Sequence, residues 1–437
     1  MGKRVRIGDN GRPLADRRTR TLRKTSFPGG IDASDGDVPG HCTRALDPGS
    51  HPAPLPFARP DIGEDEIAEV VSCLRSGWLG TGPRCAQFEA DFATHLGGDV
   101  ACISVNSATA GLHLAVEAFG IGPGDEVIVP VHTFTATAEV VRYVGADPVF
   151  VDVEPGSLNI DVSKIEAAVT PRTRAIIPVH YAGLACDMAA ILKIARRHDL
   201  RVIEDAAHAL PTTFNGTRIG ALGSDATVFS FYVTKTLATG EGGMLVTRNA
   251  EVAKRAKVMR LHGINRDVFD RYRTGGNWYY EVIAPGFKYN LTDMAAAIGL
   301  HQLRRLNEMH RRRQQIAEAY LARLADLPLR LPLRARAGDL HSWHLFPVRL
   351  TEGAGLSRDA LVDSLAAAGI GTSVHYMPLH LHPYWRDSCH LAPEGFPVST
   401  AAYEALVSLP IYSKMTDEDV DRVIAACHDA LGRETGR

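Results

Sequence analysis

The strongest constraint in this chain is an alternation running from residue 101 to residue 247, in which short β-rich segments are separated by stretches with helical spacing. The segments are Ala101 to Val105, Glu126 to Val131, Pro148 to Val153, Arg174 to Val179, Arg201 to Asp205, Ala226 to Tyr232 and Gly243 to Thr247. Several are apolar on both faces and so need cover above and below, and strands that alternate with helices join through crossovers into parallel sheets. The pattern predicts an α/β fold: a large domain over 56–290 with a seven-stranded, mostly parallel sheet covered by helices. Ile67, Val70, Val71 and Leu74 lie at helical spacing behind Glu64, Asp65 and Glu66, an acidic turn suited to a helix N-terminus. After about residue 290 the pattern changes. A helix from Leu291 to about Leu324 leads to strand-like pieces (His344 to Leu350, Thr372 to Tyr376) and helices near 358–368 and 417–432, which predicts a smaller α+β C-terminal domain over 291–437.

Residues 1–55 have a different character. Nine of the first 24 are Lys or Arg, and a run rich in Gly, Pro, Asp and Ser follows. A segment that buries little apolar area cannot offset its ordering entropy, so a disordered extension is expected. Across the chain 48 basic side chains meet 50 acidic ones, a formal charge of −2, and no global field draws the protein to nucleic acid or an anionic membrane. No run approaches the roughly 18 apolar residues that span a bilayer, and the N-terminus lacks a secretory apolar region. A cytoplasmic protein without nucleic-acid or membrane partners is expected. The seven cysteines form no Cys-x-x-Cys pair, which opposes both a disulfide framework and a structural zinc site.

In an open α/β sheet the ligand site lies outside the carboxyl ends of the strands, so polar residues closing the predicted strands are the candidates. Asn106-Ser-Ala-Thr-Ala-Gly111 follows the strand ending at Val105 and opens a helix, offering free N–H groups to a phosphate; the same stretch also reads as an ordinary helix cap. Glu204-Asp-Ala-Ala-His208 closes an apolar strand with two carboxylates, whose desolvation calls for a cationic or protonated partner. A metal held with help from His208 and a solvated strand end are the other readings, but no further ligands have suitable spacing nearby, and no metal is expected. Ser230-Phe-Tyr-Val-Thr-Lys235 precedes the glycine-rich Gly240-Glu-Gly-Gly243, and a desolvated Lys235 amine there would be a nucleophile towards carbonyls. A phosphate-binding helix start, a strand-end Asp and a downstream Lys together fit pyridoxal 5′-phosphate (PLP): amine for the aldehyde, carboxylate for the ring nitrogen, amides and hydroxyls for the phosphate.

These blocks, with Val129-Pro-Val-His-Thr-Phe134, Arg260-Leu-His-Gly263 and Pro285-Gly-Phe-Lys-Tyr-Asn-Leu-Thr-Asp293, resemble the DegT family of PLP-dependent sugar aminotransferases, of the aspartate aminotransferase fold (fold type I), over nearly all of 56–435. The resemblance implies Lys235 as the lysine that binds the cofactor covalently and Asp205 as the partner of its ring nitrogen. It further implies Phe134 on the ring face, His208 beside the ring's 3-oxygen as a titratable donor, and Ala108, Thr109 and Ser230 on the phosphate. Asn290 would reach the phosphate in a neighbouring subunit, making a homodimer with shared active sites. Thr81 and His375 are the candidate substrate contacts. Relatives that dehydrate 3-hydroxy sugars carry His at the position of Lys235, so this chain resembles the transaminases, whose usual amino donor is glutamate. The block around Lys288 to Asp293 resembles relatives that aminate carbon 4 of a nucleotide-linked 4-keto-6-deoxy sugar. A keto-cyclitol or other natural-product carbonyl is the alternative substrate, and a PLP-binding regulatory protein without turnover is the alternative function.

Overall fold

The computed structural model describes residues 53–265 and 279–432. The basic extension expected over 1–55 lies outside the described residues except for its last three. Of these, Leu55 is buried and bridges to Ile370, its N–H donating to the Gly369 carbonyl at 2.8 Å.

Seven strands build the main sheet: β1 (Ala101–Val105), β2 (Glu126–Pro130), β3 (Asp147–Val151), β4 (Thr173–Ile176), β5 (Arg201–Asp205), β6 (Ala226–Ser230) and β7 (Gly243–Thr247). Their order across the sheet is β1-β7-β6-β5-β4-β2-β3. All pairs are parallel except the two made by β7, which runs antiparallel to both β1 and β6. The cause is the connection before it: residues 231–242 contain no helix, so the chain turns back beside β6 instead of crossing over. Lys235 sits in that return.

Alternation along each strand divides its side chains between two cores. Ile128, Ile176, Val202, Phe229, Met244 and Val246 pack with Phe88 and Phe92 of α2 (Pro83–Leu96) on one face. That face also takes Met188, Ile191 and Ile194 of α5 (Met188–Arg197), capped by Asp187, whose carboxylate accepts the Ala190 N–H. Val127, Val129, Ala175, Ile177, Ile203, Val228 and Leu245 face α3 (Ala108–Ala118), α4 (Ala136–Tyr143) and α6 (Ala250–Met259) on the other. Gly111 lets α3 settle onto the sheet, because a Cβ there would lie 2.7 Å from a methyl of Val228. The first helix, α1 (Glu64–Ser76), packs with α2 against the long α7 (Asp293–Arg323), which begins where Thr292 accepts the Ala295 N–H at 3.2 Å.

Beyond α7, β8 (Leu329–Arg330), β9 (Phe346–Leu350) and β10 (Leu406–Leu409) form an antiparallel sheet. With α8 (Arg358–Ala367) and α9 (Asp417–Leu431) it encloses a further apolar cluster around Tyr320, Phe346, Leu365 and Val423. The strand expected over Thr372 to Tyr376 is not one. Only Ser373 pairs, with Ser408, after which the His375 carbonyl accepts the Tyr181 hydroxyl instead of a neighbouring strand's N–H. That side-chain capture turns the segment towards the ends of β5 and β6, where His375 and Tyr376 line the main cavity.

Candidate active site

The cavity, about 460 Å³, opens outside the carboxyl ends of the parallel strands, where this fold places ligands. One wall is the start of α3. Ser107 caps that helix by accepting the Ala110 N–H at 3.1 Å, and its carbonyl takes the Gly111 N–H at 3.1 Å. The amides of Ala108 and Thr109 have no acceptor within the helix, and both residues line the cavity, a seat for an anion. Gly243 supports this wall from below: a Cβ there would lie 2.8 Å from the Ala108 nitrogen and 2.8 Å from the Ser107 carbonyl carbon. Ser230, at the end of β6, lines the same region and accepts the Tyr232 N–H at 3.3 Å.

At the end of β5 the two carboxylates point to opposite faces. Glu204 is fully buried away from the cavity and bonded to His180 Nε2 at 2.9 Å, to the Thr227 hydroxyl at 2.7 Å and to Ser224. Asp205 faces the cavity. The Thr137 hydroxyl donates to its Oδ2 at 2.8 Å and the Ala207 N–H to its Oδ1 at 3.1 Å. Burial pushes the Asp205 carboxyl above its usual range, opposed by those two donors and by the charge on Lys235. The two carboxylates therefore do not form one cation site, and among the described residues no group of three or more His, Cys, Asp or Glu could hold a metal ion.

Lys235 enters from the loop between β6 and β7, its backbone N–H fixed to the Tyr232 carbonyl at 2.8 Å. Its Nζ lies 3.4 Å from His344 Nε2. Burial lowers the amine to about 8, with the Asp205 charge acting in the opposite sense. The neutral fraction at pH 7 is then about one in ten, against roughly one in three thousand for an ordinary lysine. Phe134, 58% exposed, leaves a ring face open to the cavity beside Tyr376, with ring centroids 6.0 Å apart.

Of the residues singled out in the sequence, Ala108, Thr109, Phe134, Asp205, His208, Ser230, Lys235 and His375 line this one cavity. Thr81 and Asn290 do not. Asn290 Nδ2 donates to the Thr81 hydroxyl at 2.6 Å, and Thr81 donates to the Leu291 carbonyl, in a loop outside the cavity of their own chain. Burial, with the charge of Lys235 acting in the same sense, pushes the His208 ring well below the usual histidine range. The sequence reading missed His344 and Tyr376. Both come from the C-terminal half, more than a hundred residues from Lys235, and the His341-Ser-Trp-His344 cluster was the only signal of the first.

Residues 60–428 match the DegT/DnrJ/EryC1/StrS aminotransferase family. The chain belongs to that family. Among its relatives, the spore coat polysaccharide biosynthesis protein SpsC of Bacillus subtilis (strain 168) is 48% identical over 379 residues, covering 86% of this chain and 97% of that protein. The PMP form of the putative sugar aminotransferase Spr1654 from Streptococcus pneumoniae superposes with a TM-score of 0.81 at 33% identity, covering 86% of this chain and 99% of that one. The aminotransferase TlmJ from Streptoalloteichus hindustanus gives 0.78 at 37% identity, covering 86% and 99%. This DegT-family protein is a PLP-dependent aminotransferase of α/β fold. The cavity's donor set fits the cofactor: free helix amides for a phosphate, a buried carboxylate for a ring nitrogen, an open aromatic face and an amine of lowered basicity for an aldehyde.

Proposed function

We propose that this DegT-family enzyme transfers an amino group from L-glutamate to carbon 4 of a nucleotide-linked 4-keto-6-deoxy sugar, in amino-sugar biosynthesis for a natural product or a surface polysaccharide. The observation that carries the transamination is the convergence of Lys235 and Asp205 on one cavity beside the open α3 start. The sugar rests on the relatives, one named for polysaccharide biosynthesis and another as a putative sugar aminotransferase.

In this reading Ala108, Thr109 and Ser230 hold the phosphate and Phe134 covers the ring. Asp205, kept in place by Thr137 and Ala207, faces the ring nitrogen and holds a proton there. The cofactor, when bound, supplies the electron sink that stabilises a carbanion. Lys235 is the covalent anchor, and as a free amine it carries the proton removed from the amino donor's α-carbon; an amine near pKa 8 accepts and releases such a proton close to neutral pH. His375, whose Nδ1 is held 3.0 Å from the Ser408 hydroxyl, stands at the wall as a substrate contact. The enzyme acts as a cytoplasmic homodimer in which Asn290 and Thr81 serve the neighbour's site; their position outside their own chain's cavity supports this. Among the described residues no helix is long and apolar enough to cross a membrane.

The test is a panel of 4-keto nucleotide sugars and keto-inositols incubated with glutamate and read by mass spectrometry. Replacement of the carbonyl oxygen by an amine on a 4-keto nucleotide sugar is expected. Amination of the keto-inositols alone overturns the sugar assignment.

A further inference from the structure

Three buried histidines share one arrangement at Nδ1. A backbone N–H donates to it in each: Ala182 to His208 at 3.2 Å, Cys186 to His180 at 3.1 Å and Trp343 to His341 at 2.9 Å. A nitrogen that accepts a hydrogen bond carries no proton, so a neutral ring held this way keeps its proton on Nε2. His344 differs. Its Nδ1 is buried and has no partner among the described residues, so no backbone donor forces the proton onto Nε2. That Nε2 lies 3.4 Å from the Lys235 amine, a long contact of the kind that tightens when substrate binds.

The ring is fixed from behind. Arg313 of α7, 4% exposed, donates to the carbonyls of Trp343 at 3.2 Å, His344 at 3.5 Å and Ile411 at 2.7 Å, and the Leu345 N–H donates to the Ala182 carbonyl at 3.3 Å. The groups whose charge acts on the ring are Lys235, His208, Arg313 and His375, with no carboxylate among them. Burial, with the Lys235 charge acting in the same sense, pushes the ring well below the usual histidine range, so it holds one proton near neutral pH. The carboxylate whose charge acts on Lys235 itself is Asp205. Which nitrogen of His344 takes the proton decides what the amine can do. An Nε2–H would donate to the lysine's lone pair and occupy it. A bare Nε2 accepts a lysine N–H instead and leaves the lone pair free.

We propose that His344 carries its proton on Nδ1 and is a positioning residue for Lys235: its bare Nε2 accepts an N–H of the amine and leaves the lone pair turned to the reacting carbon. This rests on the PLP reading of the cavity and adds a residue to it. One acceptor serves both protonation states, because a neutral amine has two N–H groups to offer and an ammonium three. Lys235 is held in place while it takes the donor's α-proton and while it gives a proton up, and no proton passes to His344. The buried Nδ1–H is offset, in the ammonium form, by the charge-assisted bond at Nε2. A backbone donor at Nδ1, of the kind that His180, His208 and His341 have, would reverse the tautomer and cap the lone pair.

Three readings on the full chain test it. In unloaded protein labelled with nitrogen-15 histidine, NMR near neutral pH is expected to show the His344 proton on Nδ1, the signals being identified by their loss in His344→Gln. A proton on Nε2 overturns the proposal. Acylation of Lys235, followed by mass spectrometry across pH, is expected to give a midpoint about one unit lower in His344→Phe, because an acceptor favours the ammonium. In His344→Gln, whose amide oxygen also accepts, the midpoint stays close to the unsubstituted value. An unmoved or raised midpoint in His344→Phe overturns the proposal, and so does an equal fall in both variants, which altered packing alone would give. The third reading uses PLP-loaded protein at about pH 9, where a free amine of this basicity is mostly neutral. There saturating glutamate is expected to bleach the visible absorbance about tenfold more slowly in His344→Phe, the size of one hydrogen bond, with KM little changed and most of the rate recovered in His344→Gln. An unchanged rate in His344→Phe overturns the positioning role. If borohydride leaves no tag on Lys235 of the unsubstituted protein, the PLP reading falls, while the tautomer and the midpoints still decide whether His344 holds the amine.

Discussion

Replacing Gly243 with alanine puts a methyl carbon 2.8 Å from the Ala108 nitrogen, 2.8 Å from the Ser107 carbonyl carbon and 2.9 Å from the Phe229 carbonyl oxygen. All three neighbours are backbone, so no side chain can rotate away. Either the Ser107–Ala108 peptide or β6 must give by about half an ångström, a small-to-large strain of the kind that costs about 1–3 kcal/mol. Phe229 is buried in the centre of the sheet, whereas the α3 start borders the cavity, so the displacement falls on the helix start. Two of its amides are the proposed phosphate donors, and a charge-assisted hydrogen bond is worth about 1.5–3 kcal/mol. Misdirecting one of them raises the dissociation constant for pyridoxal 5′-phosphate about ten- to a hundredfold. The assay is a titration of cofactor into the unloaded variant followed by absorbance, with circular dichroism to verify the fold. A folded variant that binds with unchanged affinity would refute the claim that this helix start is the phosphate seat.

Two other outcomes follow from the site. Acylation of Lys235 in the unloaded protein, followed by mass spectrometry across pH, should show a midpoint near 8; a midpoint near that of an ordinary lysine contradicts the burial argument. Burial lowers this amine and the Asp205 charge raises it, so Asp205→Asn should move the midpoint further down. If Asn290 serves the neighbouring chain, mixing inactive Lys235→Ala subunits with Asn290→Ala subunits rebuilds one complete site per mixed dimer. Activity above that of either variant alone is expected after subunit exchange, and no gain would return Asn290 to its own chain.

Much of the sheet is legible in the sequence because β-branched residues at both odd and even positions of runs such as Val127, Ile128 and Val129 demand two covered faces. The direction of β7 is not, since a period of two is the same read either way; only the helix-free connection before it decides. Lys235, Asp205 and the α3 start are legible for a related reason, each standing at a strand's end where chain position implies spatial position. Thr372 to Tyr376 misleads because its alternation looks like a strand, while the acceptor that would extend the pairing is taken by Tyr181. Tyr376 and His344 reach the cavity only through the packing of the C-terminal elements, and no local pattern encodes that meeting. The downward push on the His208 ring is likewise a product of burial and surrounding charge.

The proposed chemistry stands on the Lys235 amine as the point where the cofactor is held. Borohydride reduction of the PLP-loaded protein, followed by proteolysis and mass mapping, tests it directly. A single pyridoxyl tag on the peptide containing Lys235, absent in Lys235→Ala, is the predicted result; a tag on another lysine, or no tag on a loaded and folded protein, would contradict it.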